Sequence, residues 1–225
     1  MKNKYSRAFT LIEVLVAIAI IIILAAILIP SLNSALERAK ATKDMSNLRQ
    51  IGMLMQTYLN DSDQILPATM IWPGTAASPG GLYPKYVATR KGFQSPFDKR
   101  TPSEASDGTA PISYSINTNV YGLVGGSMLK VVSPASTFFM APKYSGNPAS
   151  AGSWTGIAGN APDLPVGGGA GETTGTHSSG TKINVLFCDW HTETLTFGPN
   201  GSPAPGSFKD FTTDPLGQKH WDPTK

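Results

Sequence analysis

Three sets of residues in this 225-residue chain have types and spacing that suit chemistry. The first is a lone carboxylate, Glu13, at the head of an apolar run from Val14 to Ile29 that closes at Pro30. An ionised carboxylate in lipid is expensive unless paired, so Glu13 needs a capping role or a cationic partner. The second set is His177, Asp189 and His191, which have metal-ligand or acid–base character. Asp189 and His191 are two residues apart and would share one face of a strand. The plainer reading is a hairpin whose Asp stabilises the turn and whose histidines are exposed or hydrogen-bonded, and it is preferred. The third set is Asp210, Asp214 and Asp222 with Thr212 and Thr213. These are oxygen donors of the kind calcium takes six to eight at a time, against the plainer reading of a solvated tail.

Other chemistry is poorly supported. There is no HExxH, no P-loop and no Ser-His-Asp pattern, and the glycines at 167 to 171 open no helical pattern and precede no Lys-Ser/Thr pair. Cys188 is the single cysteine, so an intrachain disulfide or multi-cysteine metal site cannot form. The alternation of Val185 and Phe187 against Leu186 and Cys188 reads as a strand with Cys188 buried. Trp72, Trp154 and Trp221 lie in loop-like text, where local packing is a better expectation than surface contacts. No enzyme activity and no cofactor are expected, with calcium the one ion the tail would suit.

The element that positions Glu13 is a helix of membrane-spanning composition. Val14 to Ile29 has no polar side chain, and twelve of its sixteen residues are Val, Ile or Leu. On an insertion scale these are worth about −5 kcal/mol together, which one Glu near the end does not outweigh. Lys2, Lys4 and Arg7 precede the run and place its amino end in the cytoplasm by the positive-inside bias. They also account for the whole formal charge of +3. The remainder is balanced and offers no concentrated basic surface, so no nucleic acid partner is expected.

Three readings of this segment compete. A secretory signal peptide has a shorter core than this one. A plain anchor makes Thr10-Leu11-Ile12-Glu13 a capping box. In the third, the basic leader is removed before Phe9, and Glu13 is kept to meet the new amine of another subunit.

Beyond Pro30, Leu32, Leu36, Ala39, Leu48, Ile51, Met55 and Tyr58 recur at three- and four-residue steps, the mark of an amphipathic helix. Glu37, Arg38, Lys40, Lys43 and Asp44 are placed mainly on the opposite face, and Met53, Met55 and Tyr58 in the core of a head domain. Pro30 deletes one backbone hydrogen bond and bends or loosens the helix. From residue 61 the text is rich in Pro, Gly, Ser and Thr, with strand-like islands at 112–116, 136–141, 183–188 and 192–197. They predict a small antiparallel sheet laid on the second half of the helix. Asp189-Trp190-His191 reads as the connection of a hairpin, although Trp suits positive φ poorly. Gly146 to Gly175 reads as a long surface loop.

Arg7-Ala8-Phe9-Thr10-Leu11-Ile12-Glu13-Val14-Leu15, the apolar run and Pro30 together resemble the class III signal of type IV pilins and type II secretion pseudopilins. Ala8 stands where that family usually has Gly. Gly81 to Tyr86, Ser113 to Asn117 and the stretch from His177 to His191 resemble heads of G-type pseudopilin-like proteins. Those heads often have nine residues between a His and Asp-Gly, whereas eleven separate His177 from Asp189 here and Trp190 replaces the Gly.

The resemblance implies an α+β pilin-like fold with a leader at 1–8, a membrane and filament-core helix at 9–30, an amphipathic stem at 31–60 and a β-rich head at 61–225. It further implies prepilin peptidase cleavage between Ala8 and Phe9 with methylation of Phe9, and roles for Glu13 and Pro30 in assembly. Its partners would be further copies, other pilins or pseudopilins, an inner-membrane assembly platform and, before assembly, lipid. G-type relatives bind calcium in a carboxyl-terminal loop, which adds to the reading of Asp210 and Asp214. The rival expectation is a stationary single-pass receptor that holds a ligand through Trp154, His177 and Asp189.

Overall fold

The computed structural model describes residues 10–66, 82, 85–87, 90–98, 112–117, 119–120, 126–142, 175–196 and 220–225. Ala8, Phe9, Trp72, Trp154, Asp210 and Asp214 lie outside these residues, as does nearly all of the 146–175 loop expectation. The chain divides into two compact units, Met1–Ala39 and Lys40–Lys225. One helix, α1 (Leu11–Asn60), contributes to both.

In the first unit the helix is apolar all round from Val14 to Ile29. Leu11, Ile12 and Ile20 through Leu24 are all more than half exposed, a pattern that is stable only when lipid or other helices replace water. By length and composition this is the one helix among the described residues able to cross a membrane. The helical assignment continues through Pro30 without a break. Around it the Ser31 hydroxyl donates to the Leu28 carbonyl at 2.8 Å and the Ser34 hydroxyl to that of Pro30 at 3.4 Å. The carbonyl that loses its donor is that of Ala26, four residues before Pro30, so these hydroxyl bonds are additional contacts beside the proline and not replacements for the missing one.

In the second unit the buried positions of α1 are Asp44, Asn47, Leu48, Ile51, Gly52, Met55 and Leu59. Their three- and four-residue steps form one stripe. Two expectations need correction here. Asp44 lies on the buried face, in phase with Leu48 and Ile51. Met53 is 60% exposed, because it sits two residues from both Ile51 and Met55, about 200° around the helix from either.

The stripe packs on a four-stranded sheet of order β1-β2-β3-β4, all antiparallel. The strands are β1 (Tyr114–Ile116), β2 (Phe138–Pro142), β3 (Lys182–Phe187) and β4 (Thr192–Thr196), each within or close to one of the strand-like islands. Together they make the α+β, pilin-like fold class. Alternation along β3 sends Leu186 toward the helix, with Leu48, Ile51, Met55, Tyr114 and Cys188 in the same core. Ile183, Val185 and Phe187 face the other way and form a second core with Phe138, Ala141 and Trp221. In β2 the parity breaks, since Phe139 and Met140 both join the first core. A register shift between Phe138 and Met140 supplies the extra residue of a bulge.

Trp221 is almost fully buried. Its ring packs edge-on against Phe138 at 4.6 Å, and its carbonyl accepts from the side-chain amides of Asn117 (3.2 Å) and Asn119 (3.0 Å). Its loop-like surroundings in the sequence thus conceal a core residue, as local packing anticipates.

Candidate functional site

At the head of α1, Glu13 Oε2 accepts two hydrogen bonds from Thr10, one from the backbone N–H and one from the hydroxyl, both at 2.8 Å. Glu13 N–H approaches the Thr10 hydroxyl oxygen at 3.3 Å in return. This reciprocal arrangement is a capping box, and it satisfies amides that the first helical turn leaves without partners. Beside the carboxylate, Ile12, Glu13, Val16, Ala17 and Ile20 line an open hollow of about 370 Å³. A carboxylate fixed at the rim of an apolar hollow suits a cation attached to an apolar group.

The second candidate set comes apart. His177 is bridged to Lys182 at the start of β3, through backbone bonds of 3.2 and 3.1 Å. It is nearly buried, its ring lies parallel to Phe97 at 5.5 Å, and its Nδ1 is 2.9 Å from the Thr176 hydroxyl. Asp189 and His191 follow the other end of the same strand. Five residue steps of about 3.3 Å put them roughly 16 Å away from His177. Among the described residues no three His, Cys, Asp or Glu side chains are grouped to hold a metal.

The geometry at Asp189 is that of a turn. Trp190 N–H donates to Phe187 O at 3.0 Å, Phe187 N–H to His191 O at 2.9 Å, and Asp189 Oδ1 accepts from His191 N–H at 3.1 Å. The same Oδ1 meets His191 Nδ1 at 2.5 Å, and the imidazole stacks on Phe187 at 4.4 Å.

Trp190 adopts φ 73°, the left-handed conformation in which glycine is the easy choice. A side chain there costs about 1–2 kcal/mol. Trp190 offsets it by packing edge-on against Phe139 at 5.3 Å, above Gly52. A Cβ on Gly52 would lie 3.2 Å from Leu186 Cδ1 and 3.7 Å from Trp190 Cβ, so the bare glycine admits the hairpin to the helix.

Of the tail's oxygen donors, only Asp222 is described. Its Oδ1 accepts from Thr224 N–H (2.9 Å) and Thr224 hydroxyl (2.6 Å), and Oδ2 lies 3.5 Å from Lys225 Nζ. These contacts close a local turn.

The polar centre that sequence reasoning missed is Asp44. Its Oδ1 accepts from the Ser95 hydroxyl at 2.5 Å and the Tyr114 hydroxyl at 2.7 Å, and its Oδ2 from the Asn184 amide at 2.9 Å. Asn184 also donates to Ala41 O at 3.0 Å and accepts from the Thr194 hydroxyl at 2.7 Å, carrying the network from α1 across β3 to β4. Burial pushes the Asp44 carboxyl above its ordinary range, opposed by the three donors. Burial, followed by the Asp44 charge, pushes the Tyr114 phenol well above its own. The signal in the sequence was an acid in register with an apolar stripe. Cys188 is buried as the alternation implied, and desolvation raises its thiol far above the reactive range.

Residues 3–29 match the family model described as the prokaryotic N-terminal methylation motif, the class III signal of type IV pilins and pseudopilins. Neither the curated proteins nor the solved structures give a match.

Proposed function

Taking that motif as the premise, we propose that the chain is a pilin-like structural subunit rather than an enzyme. It is made as a single-pass precursor, cut by prepilin peptidase between Ala8 and Phe9, methylated on the new amine and assembled into a type II secretion pseudopilus or type IV pilus-like filament. Lys2, Lys4 and Arg7 hold the amino end on the cytoplasmic side, so the head lies beyond the inner membrane. The observation that carries the reading is the coincidence of the methylation motif over residues 3–29 with an exposed apolar stretch of helix, 11–29, whose one carboxylate sits at its head.

Assembly exchanges lipid for neighbouring helices around the apolar run. Glu13 then sets register by meeting the Phe9 amine of an adjacent copy, because either charge alone in lipid is costly. Pro30 marks where the filament-core segment (9–30) gives way to the stem (31–60). The partners on this reading are other copies, further pilins or pseudopilins, the peptidase and the inner-membrane platform.

The test is the amino-terminal mass of protein purified from native membranes. N-methylated Phe9 is the expected terminus, and an intact Met1 would refute processing and leave a plain anchored protein. Glu13→Ala is expected to insert and be cleaved normally while filaments are lost or disordered.

A further inference from the structure

The two edges of the head's sheet differ. β1 is three residues long and its Tyr114 is fully buried. β4 is five residues long, its side chains are exposed or half-exposed, and among the described residues nothing pairs with its outer side. Edges of this kind are commonly guarded by Lys, Pro or a bulge, because their unpaired backbone groups are a template for another strand. Thr192-Glu193-Thr194-Leu195-Thr196 has no Lys and no Pro, and its register with β3 runs unbroken from Leu186↔Thr192 to Lys182↔Thr196.

That register fixes which backbone groups point outward. Phe187 N–H donates to His191 O across the turn, so the bonded pairs that follow are Val185 with Glu193 and Ile183 with Leu195. The alternate residues Thr192, Thr194 and Thr196 turn their N–H and C=O away from β3. Lys182 agrees: opposite Thr196, it exchanges backbone bonds with His177 on its other side.

Outward groups at alternate threonines can pair only with outward groups of another strand. In an antiparallel pair centred on Thr194, Thr194 faces Thr194 of a second copy and Thr192 faces its Thr196, each pair exchanging both N–H···O bonds. Glu193 then falls opposite Leu195 of the second copy, and the threonines form cross-strand pairs on one face, both of which favour pairing. Moving the centre one residue toward the turn sets Glu193 against Glu193, and moving it the other way loses a threonine pair. We infer that β4 is a self-complementary edge through which two heads join about a two-fold axis at Thr194, continuing one sheet into the other. Such a contact closes on itself and takes a single partner. It is therefore distinct from the repeating contacts of a filament and does not rest on the processing proposed above.

The experiment uses the full chain in native membranes, treated with a mild thiol oxidant. Facing residues of a bonded pair have Cα atoms about 5.5 Å apart, within reach of a disulfide. Thr194→Cys is expected to give a disulfide-linked dimer of the chain. Thr192→Cys should give about tenfold less, since its two thiols are out of step by roughly 13 Å along the strand. Native Cys188 is buried and should give none. Thr196→Pro added to Thr194→Cys should abolish the dimer, because it removes an outward N–H and leaves the bonds to β3 in place. The Thr194 hydroxyl also donates to Asn184, so a second reading of the same register avoids that residue. Copies with Thr192→Cys and copies with Thr196→Cys, expressed together, should form the mixed dimer in preference to either self-dimer.

Equal cross-linking at positions 192 and 194, or a dimer that survives Thr196→Pro, would overturn the inference. So would the absence of a cross-link from both the Thr194→Cys chain and the mixed pair.

Discussion

Glu13 and Asp44 lie on the same helix, yet they draw their partners from very different distances along the chain. The capping hydrogen bonds of Glu13 go to Thr10, three residues away. Those of Asp44 reach Ser95, Tyr114 and Asn184, which are 51, 70 and 140 residues away. The first arrangement forms wherever the helix forms. The second exists only when the helix, β1, β3 and the segment before Phe97 arrive together. A local cap leaves its carboxylate available to an outside partner, whereas a buried acid surrounded by neutral donors is closed to one. The helix therefore holds one carboxylate by a local cap in the first unit and the other by a long-range network in the second.

The contrast can be broken most forcefully at Asp44. Asp44→Ala leaves two hydroxyls and an amide buried without their acceptor, and about 3 kcal/mol of stability should be lost. In a chain of this size that corresponds to a melting temperature lower by roughly 6–12 °C, measured on the full chain in detergent. An unchanged melting temperature would mean that the network contributes nothing net.

Gly52→Val should cost about 2 kcal/mol by crowding Leu186 and Trp190, read as a shifted urea midpoint. Gly52→Ala should be close to neutral. Its Cβ would lie 3.2 Å from the buried Leu186 Cδ1, a crowding that the gain in helix propensity of about 1 kcal/mol offsets.

A third and smaller effect is the pH dependence of the same acid. Burial raises the folded-state pKa of Asp44 above its unfolded value, so folding favours the protonated form. Its contribution is fully present below the unfolded pKa of about 3.9 and is lost as pH rises through the folded value. The stability of wild type relative to Asp44→Asn should accordingly grow as pH falls from 7 toward 4, in urea titrations across that range. Growth in the opposite direction would mean that the three donors outweigh desolvation.

Thr10→Val sharpens the other side of the comparison. Loss of the cap should cost about 1 kcal/mol, confined to the first turn. Amide exchange at Leu11 to Val14 should accelerate while the melting temperature of the head stays where it was.

Much of this contrast was legible before any coordinates. The capping box from Thr10 to Glu13 is a four-residue pattern, and the apolar run declares its own environment through composition. The strands around 112–116, 136–141, 183–188 and 192–197 announced themselves by β-branched and aromatic content, and the β3–β4 turn by its place between two of them. The burial of Cys188 followed from period two. What misled was assignment by side-chain polarity. Polarity puts Asp44 with the charged residues, although its phase matches Leu48 and Ile51, and puts Met53 in the core, although its phase does not.

What could be decided along the chain were those features whose partners lie within a turn or a strand: the cap, the membrane-grade helix, the strands and their alternation. Only the tertiary structure could separate His177 from Asp189 and His191, seat Trp221 on Phe138, give Trp190 a left-handed backbone over Gly52 and surround Asp44 with Ser95, Tyr114 and Asn184. The physical reason is that local hydrogen bonds and periodic burial depend on spacing in sequence, while a buried polar group is settled by donors that converge from segments far apart in the chain.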